Sequence, residues 1–219
     1  MPTEAGTTWT IVVAAGSGSR FGGDTPKQFL EIAGKRVVDW SVSAAASVSD
    51  GVVVVVPKGS SVTVPAAGLR CQVVCVNGGD SRSESVRKGL AQVPDTAQVV
   101  LVHDAARPVA SAALMATVVA AVRNGADAAI PVVGVVDTIR DLEGNIIDRS
   151  QLQAVQTPQG FSARALRDAH ASGAHATDDA TLVSAVGGLI VVVPGERWNI
   201  KVTEPDDLRV VAALLGERL

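Results

Sequence analysis

Short runs of apolar, largely β-branched residues recur along the chain and alternate with longer segments in which apolar residues have helical spacing. Because these runs are nearly continuous, they are typical of strands that are buried on both faces. The segments between them contain few helix breakers, which favours helices. We predict strands at 9–15, 52–57, 72–76, 99–103, 128–133 and 189–194, and helices after Arg36, Arg82, Ala110 and Ser162 and in the final EPDDLRVVAALLGERL.

This alternation predicts the fold class. Strands that are each followed by a helix form a mainly parallel sheet with right-handed crossovers. The sequence is rich in Val and Ala and contains no Tyr, so its core must be built from small branched side chains, which suits a sheet covered by helices. We therefore expect an α/β fold, a single Rossmann-like domain over 1–219 with a mainly parallel sheet flanked by helices.

One segment, 135–152, departs from the alternation. It contains two short strand-like pieces around Glu143, Gly144 and Asn145, which predicts a β-hairpin at about 136–151. An isolated two-stranded hairpin is marginally stable in water, so this one is expected to lie against another surface. A second copy of the chain is the simplest candidate, and we expect a homodimer through this arm.

Charge and hydropathy exclude several classes of partner. The formal net charge of -3 gives no basic field for a phosphate backbone, which argues against a nucleic-acid partner. The chain starts without the features of a signal peptide and has no apolar run near the roughly 20 residues that span a bilayer, so we expect no membrane partner and a cytoplasmic protein. Cys71 and Cys75 lie four apart in an apolar, strand-like segment, and we expect buried thiols rather than metal ligands.

A glycine-rich loop, AAGSGSRFGG, follows the first predicted strand at 14–23. Small residues let the backbone approach a ligand, and successive N–H groups in such a turn can surround phosphate oxygens. The loop lacks the Lys-Ser/Thr pair of a Walker motif, and its third glycine comes too late for a dinucleotide fingerprint, which disfavours hydride chemistry. Arg20 and Lys27 bracket the loop, which argues against a surface turn that binds nothing.

The loop and the KQF that follows it at 27–29 resemble the signature of the sugar-phosphate nucleotidyltransferases, and more closely that of the 2-C-methyl-D-erythritol 4-phosphate cytidylyltransferase family. Further motifs in the same order extend this resemblance over nearly the whole chain: GGDSRSESV at 78–86, HDAARP at 103–108, QTPQ at 156–159, TDD at 177–179 and NIKVT at 199–203. The resemblance implies transfer of CMP from CTP to a small polyol phosphate, 2-C-methyl-D-erythritol 4-phosphate, with release of pyrophosphate, in non-mevalonate isoprenoid precursor synthesis.

In that reaction a phosphate oxygen of the acceptor attacks the α-phosphorus of CTP. A phosphate monoester is mostly dianionic near neutral pH, since its second pKa is about 6, and no general base is required. Catalysis then depends on position and charge. The resemblance implies that the catalytic cations are Arg20, Lys27, Arg149 and Lys201.

The resemblance also assigns residues to the ligands. Asp104 directly follows a predicted strand, where its carboxylate could hold the Mg²⁺ ion that bridges the triphosphate. The acceptor phosphate would be bound by Thr138, Arg149, Thr177 and Lys201, with Arg149 reaching the neighbouring subunit's site across the dimer. The CTP-binding residues would be Ala14, Ala15, Gly16, Gly18, Gly79, Arg82 and Ser85.

Several alternatives stay open at this point. Asp104 could cap a helix or pair with Arg107, SRSES at 81–85 also fits an ordinary helix start, and Arg149 could be an exposed charge. His103 is expected to pack or to form hydrogen bonds, because magnesium prefers oxygen ligands. The closest rival function is a ribitol-5-phosphate cytidylyltransferase of the same fold, followed by a non-catalytic nucleotide sensor and a nicotinamide oxidoreductase.

Overall fold

The protein is built around one eight-stranded sheet. The structure, a computed structural model, describes residues 7–16, 21, 25–64 and 68–216. The strands, in chain order, are β1 (Thr8–Val13), β2 (Glu31–Ile32), β3 (Lys35–Arg36), β4 (Gly51–Val56), β5 (Gln72–Asn77), β6 (Val99–Asp104), β7 (Ala128–Gly134), β8 (Ile139–Arg140), β9 (Ile146–Ile147), β10 (Gln153–Val155), β11 (Gln159–Ser162) and β12 (Ile190–Pro194).

Helices follow the strands along most of the chain. They are α1 (Val37–Ala46), α2 (Arg82–Leu90), α3 (Ala112–Arg123), α4 (Ala163–Ala171), α5 (Asp179–Ala185) and α6 (Pro205–Gly216). All the long apolar runs are strands and all the segments with helical spacing are helices, so those predictions are confirmed. The short helix α5 was not predicted.

The main sheet has the strand order β10-β7-β11-β6-β1-β4-β5, with β12 also paired to β7. Strand β1 lies between β4 and β6 and is parallel to both. In that register Val13 lies opposite Val55 and Asp104, so the carboxyl ends of three strands meet at one edge. This edge of an open parallel sheet is where nucleotides bind.

The sheet is mainly parallel, as predicted, but two unpredicted strands run against their neighbours. Strand β11 is antiparallel to both β6 and β7, and β10 is antiparallel to β7. Both follow the hairpin segment and carry little apolar pattern. Their insertion brings the QTPQ motif at 156–159 beside the end of β6.

The apolar side chains of the central strands alternate between two cores, one on each face of the sheet. In β4, Val52 and Val54 contribute to the core beneath α1 and α3, whereas Val53 and Val55 contribute to the core beneath α2 and α4. All residues of β4 are buried, which explains its unbroken run of valines. A third cluster packs α6 against the start of α1.

The segment that departs from the alternation contains a small antiparallel sheet, in which Ile139 lies opposite Ile147. The Asp141 carboxylate accepts hydrogen bonds from the backbone N–H groups of Glu143 and Asn145. Gly144 has a φ of +92°, which glycine adopts without strain. The apolar side chains of Val136, Leu142 and Ile146 are exposed on this segment.

The prediction for the cysteines is wrong. Cys71 is only partly buried and Cys75 is exposed, and both thiols are free. The reason is that β5 lies at the end of the strand order, so one side of this apolar strand is not covered by a neighbour. In the part of the chain that the structure describes, no helix is both long and apolar enough to cross a membrane.

Candidate active site

A cavity of about 470 Å³ lies at the edge of the sheet where β1 and β6 end. This volume is within the range of small-molecule sites. The loop after β1, the start of α2, the end of β6 and the segment after β12 supply its walls. The lining residues are Val13, Ala14, Ala15, Gly16, Lys27, Gln28, Gly79, Asp80, Ser81, Arg82, Ser85, Asp104, Ala105, Ala106 and Lys201.

The first part of the glycine-rich loop is held by Gln28. Its side-chain amide donates hydrogen bonds to the backbone carbonyls of Ala14 (2.7 Å) and Gly16 (2.9 Å). Gln28 is itself buried and follows Lys27 in a single 3-10 turn. Gln28 therefore ties this turn to the loop and places Lys27 at the cavity. Two predicted site residues, Gly18 and Arg20, lie outside the described residues.

The wall opposite the loop is the N-terminus of α2. Ser81 caps this helix by accepting a hydrogen bond from the Glu84 N–H, as the sequence suggested. The Gly79 N–H donates to the hydroxyl of Ser85 (3.1 Å). A Cβ at Gly78 would lie 2.4 Å from the Ala15 Cβ, so only glycine lets the two walls approach this closely. A helix N-terminus here favours an anion.

Asp104 lies at the centre of the charged groups, at the end of β6. Its Oδ2 is 2.7 Å from the Lys201 Nζ, and its Oδ1 is 3.9 Å from the Arg82 Nε. Burial raises the pKa of this carboxyl, but Lys201 and Arg82 lower the pKa by more, and it lies below its ordinary value of 3.8. Asp104 is therefore ionised at neutral pH.

The structure supports neither alternative role for Asp104, as a helix cap or as the ion-pair partner of Arg107. The helix that follows, α3, is capped by Ser111. The Arg107 guanidinium donates to the backbone carbonyl of Asn199 (2.6 Å). The Asp104 carboxylate instead faces the cavity with Lys201.

His103 has the structural role that the sequence predicted. It is fully buried, its Nε2 lies 3.2 Å from the Arg107 carbonyl oxygen, and its Nδ1 lies 3.2 Å from the Thr157 hydroxyl. Burial lowers the pKa of His103 to about 4, so the imidazole is neutral at neutral pH. The same Thr157 hydroxyl accepts a hydrogen bond from the Asp104 N–H, which ties β6 to the segment before β11.

The donor set fits a metal ion that arrives with a triphosphate. Among the described residues there is no group of three or more His, Cys, Asp and Glu side chains that could hold an ion. One ionised carboxylate beside an anion site is what Mg²⁺ uses when phosphate oxygens and waters complete its shell. Asp104, which is ionised and lies beside Lys201 and Arg82 at the cavity, fits this arrangement.

The structure brings together nine of the predicted site residues and leaves three apart. Those at the cavity are Ala14, Ala15, Gly16, Lys27, Gly79, Arg82, Ser85, Asp104 and Lys201. Thr138, Arg149 and Thr177 are exposed and do not line it. The Arg149 guanidinium donates a hydrogen bond to the Val136 carbonyl within the hairpin segment. Within a single chain, therefore, Lys201 lines the cavity and these three residues do not.

Sequence reasoning missed three residues that hold the site. Gln28 fixes the glycine-rich loop, and the buried pair His170 and Asp179 lies behind Arg82. Gln28 and Asp179 both lie in motifs that the resemblance singled out, KQF and TDD, but their chemistry gave them no role. His170 lies in helix α4, and no motif in the surrounding sequence indicated a role for it.

Of the residues that the structure describes, three cations, Lys27, Arg82 and Lys201, and two carboxylates, Asp80 and Asp104, line the cavity. A chain of net negative charge thus gathers positive charge beside a glycine-rich loop and a helix N-terminus. A mainly parallel sheet with such a site at its carboxyl edge is typical of the nucleotide-binding α/β proteins.

Comparison with known proteins identifies the family. The family model described as 2-C-methyl-D-erythritol 4-phosphate cytidylyltransferase matches residues 8–217. The chain belongs to this family. The nicotinamide oxidoreductase and the nucleotide sensor are thereby set aside.

Individual relatives agree over nearly the full chain. A 2-C-methyl-D-erythritol 4-phosphate cytidylyltransferase of Nocardia farcinica is 41% identical over 97% of this chain and 96% of that protein. The crystal structure of the enzyme of that name from Thermus thermophilus has a TM-score of 0.80 and 36% identity, covering 95% of this chain and 98% of that one. A bifunctional enzyme IspD/IspF of Dinoroseobacter shibae is 42% identical over 95% of this chain, but the chain spans only 54% of it.

Proposed function

We propose that this chain transfers the cytidylyl group of CTP to 2-C-methyl-D-erythritol 4-phosphate and releases pyrophosphate, in the synthesis of isoprenoid precursors. The observation that carries this proposal is the cavity at the carboxyl ends of β1 and β6, where Lys201 and Arg82 lie beside Asp104 and Lys27 lines the same cavity. It lies in a chain that belongs to the cytidylyltransferase family.

The reaction needs charge and position rather than a base. A phosphate oxygen of the acceptor forms a bond to the α-phosphorus of CTP, the bond from that phosphorus to the oxygen of the β-phosphate breaks, and pyrophosphate leaves with its electrons. The acceptor oxygen is already deprotonated near neutral pH. Lys27, together with Arg20, would stabilise the negative charge that builds on the triphosphate in the transition state.

The two walls of the cavity would bind different parts of CTP. The backbone of Ala14, Ala15 and Gly16, with Gly18, would surround the triphosphate. Gly79, Arg82 and Ser85, at the start of α2, would contact the nucleoside. The support is that both walls face one cavity and that the Gln28 amide fixes the loop where it leaves β1.

A divalent cation, Mg²⁺ being the expected one, would be held by Asp104 together with phosphate oxygens. When bound, it would neutralise charge on the triphosphate and orient it. Lys201 contacts the same carboxylate and would reach from there towards the acceptor phosphate.

The acceptor phosphate would be bound by residues from two subunits. Lys201 and Thr177 would come from the chain that forms the cavity. Thr138 and Arg149 belong to the hairpin segment, whose exposed apolar side chains favour contact with a second copy. We therefore propose a homodimer in which the hairpin arm completes the neighbour's site.

We also propose that 1–219 forms one nucleotidyltransferase domain in the cytoplasm. Strands from Thr8–Val13 to Ile190–Pro194 share one sheet, which supports a single domain. Cys71 and Cys75 are free, and Cys75 is exposed, which suits a reducing compartment.

Removing the divalent cation should stop turnover. With CTP, 2-C-methyl-D-erythritol 4-phosphate and Mg²⁺, we expect the CDP-alcohol product, measured by mass spectrometry. Excess chelator should abolish product formation, and added Mg²⁺ should restore it. Undiminished turnover in chelator would contradict the role given to Asp104, whereas equal turnover with ATP or GTP would contradict the assignment of CTP.

A further inference from the structure

A hydrogen-bonded chain of three side chains, Arg82, Asp179 and His170, leads from the wall of the cavity into the interior. The Arg82 Nη1 is 2.7 Å from the Asp179 Oδ2, and the His170 Nε2 is 3.0 Å from the Asp179 Oδ1. Asp179 is fully buried and His170 is nearly so. Of the three residues, only Arg82 lines the cavity.

Both carboxylate oxygens of Asp179 are in hydrogen-bond contact with a neighbouring side chain. A buried carboxylate is tolerated when it is paired and hydrogen-bonded, and here Arg82 and His170 each contact one of its oxygens. An ionised carboxylate only accepts, so the His170 Nε2 must carry the hydrogen. The His170 Nδ1 is buried without a hydrogen-bond partner in the described structure, so the imidazole makes this one bond.

Arg82 lies between two carboxylates that would pull it in different directions. Its Nη1 is in hydrogen-bond contact with Asp179, whereas its Nε is 3.9 Å from the Asp104 Oδ1, too far for a hydrogen bond. If Asp179 lost its charge, Asp104 and Asp178 would be the carboxylates that still attract the guanidinium, and of these two only Asp104 lines the cavity. Arg82 would then close on the group that is proposed to hold the metal ion.

The backbone around Asp179 is fastened to the same helix that carries Arg82. The Ser83 hydroxyl donates to the Ala176 carbonyl and accepts from the Ala176 N–H. The Arg87 guanidinium donates to the Ala174 carbonyl (3.0 Å). The segment before α5 is therefore tied to the first turns of α2, which keeps the Asp179 carboxylate in place relative to Arg82.

We propose that Asp179 is a positioning residue that holds the Arg82 guanidinium at the nucleotide cavity and away from Asp104, and that His170 fixes the Asp179 carboxylate for this purpose. The inference rests on the proposed function, because it gives Arg82 a task towards CTP. Asp179 touches no substrate and acts through Arg82.

A double-mutant cycle tests this coupling. The variants are Arg82→Gln, Asp179→Asn and the two combined, with kcat and KM measured for CTP and the dissociation constant of CTP measured by calorimetry. We expect Asp179→Asn alone to lower kcat/KM for CTP by on the order of tenfold, as coupled neighbours do. In the Arg82→Gln background, Asp179→Asn should have almost no further effect on kcat/KM, because the guanidinium that Asp179 positions is already absent.

A merely structural role for Asp179 predicts a different result. Its substitution would then multiply the effect of Arg82→Gln, and that outcome would overturn the proposal. Asp95→Asn is a control for the chemical change itself, since the exposed Asp95 pairs with Arg167 (3.4 Å) away from the cavity, and its kinetics should equal those of the wild type. Val118→Ala, on the buried face of α3, shows what lost stability alone does to kcat/KM.

His170 supplies a second, milder pair of variants that does not depend on Asp179→Asn folding. His170→Leu removes the hydrogen bond to Asp179 and should weaken kcat/KM for CTP in the same direction. His170→Gln can donate from a similar position and should restore most of it. Wild-type kcat/KM in His170→Leu would contradict the proposal.

Failure of the inference and failure of the proposed function give different results. If the wild type does not transfer cytidylyl groups, the proposed function fails, yet the cycle can still be read in the dissociation constants for CTP. If the wild type is active and the variants are independent in both measurements, the positioning role alone is wrong.

Discussion

Lys27→Ala should lower kcat by about a hundredfold or more, because removing one group that stabilises transition-state charge typically has that effect. Lys27 lines the cavity beside the glycine-rich loop, next to Gln28, which fixes the loop to the end of β1. Arg20→Ala, in the same loop, should lower kcat to a similar extent. Steady-state kinetics at saturating CTP and acceptor measure both.

The control for this prediction is Lys35→Ala. Lys35 is an exposed lysine over the Trp40 ring, outside the cavity, and its loss should leave kcat near the wild-type value. Thermal unfolding of each variant shows whether the fold is intact. Near-wild-type kcat in Lys27→Ala would mean that this ammonium group does not face the charge that develops on the triphosphate.

Mixing two inactive variants should regenerate activity if the hairpin arm completes the neighbour's site. Lys27→Ala and Arg149→Ala homodimers each lack one cation in every site and should be nearly inactive. In a mixed dimer one site lacks both cations, while the other has Lys27 from one chain and Arg149 from its partner. With random pairing about half the dimers are mixed, so co-refolded material should recover about a quarter of wild-type activity.

The alternative arrangement gives a clear opposite result. If Arg149 served its own chain, no mixed dimer would contain an intact site, and activity would stay at the level of the separate variants. The mixing should be followed by mass spectrometry with one variant isotopically labelled, so that absent recovery cannot come from absent exchange. Full exchange without recovered activity would contradict the shared site.

The central sheet was predictable because its strands are buried on both faces. Parallel strands of this kind leave continuous runs such as 52–56, and the helices between them bury one apolar face each. The apolar runs could not reveal which strands have a neighbouring strand on both sides. Cys75 was expected to be buried because its strand is apolar, yet β5 lies at the end of the strand order.

The elements that were missed are short and weakly patterned. Strand β11 reads QGFS and helix α5 has seven residues, so neither shows a hydrophobic period. Their place depends on tertiary contacts: β11 is buried between β6 and β7, and α5 is anchored through Asp179. Local sequence carries no signal for either contact.

The residues of the candidate site also differ in whether the sequence could predict them. Asp104 was predictable from its place after a strand, because the carboxyl ends of parallel strands meet at one edge, whereas Arg82 was assigned through the resemblance. Lys201 was reached only through the resemblance, and the fold brings it within 2.7 Å of Asp104. Gln28 and Asp179 act by holding other residues, and such roles depend on distances that only the folded chain supplies.

The most direct test of the central claim is acceptor-dependent release of pyrophosphate from CTP. The purified chain should be assayed with Mg²⁺ and either 2-C-methyl-D-erythritol 4-phosphate or ribitol 5-phosphate, under otherwise identical conditions. We predict rapid release with the first acceptor, little with the second and none without an acceptor. Release that is independent of acceptor, or faster with ribitol 5-phosphate, would contradict the function proposed for this site.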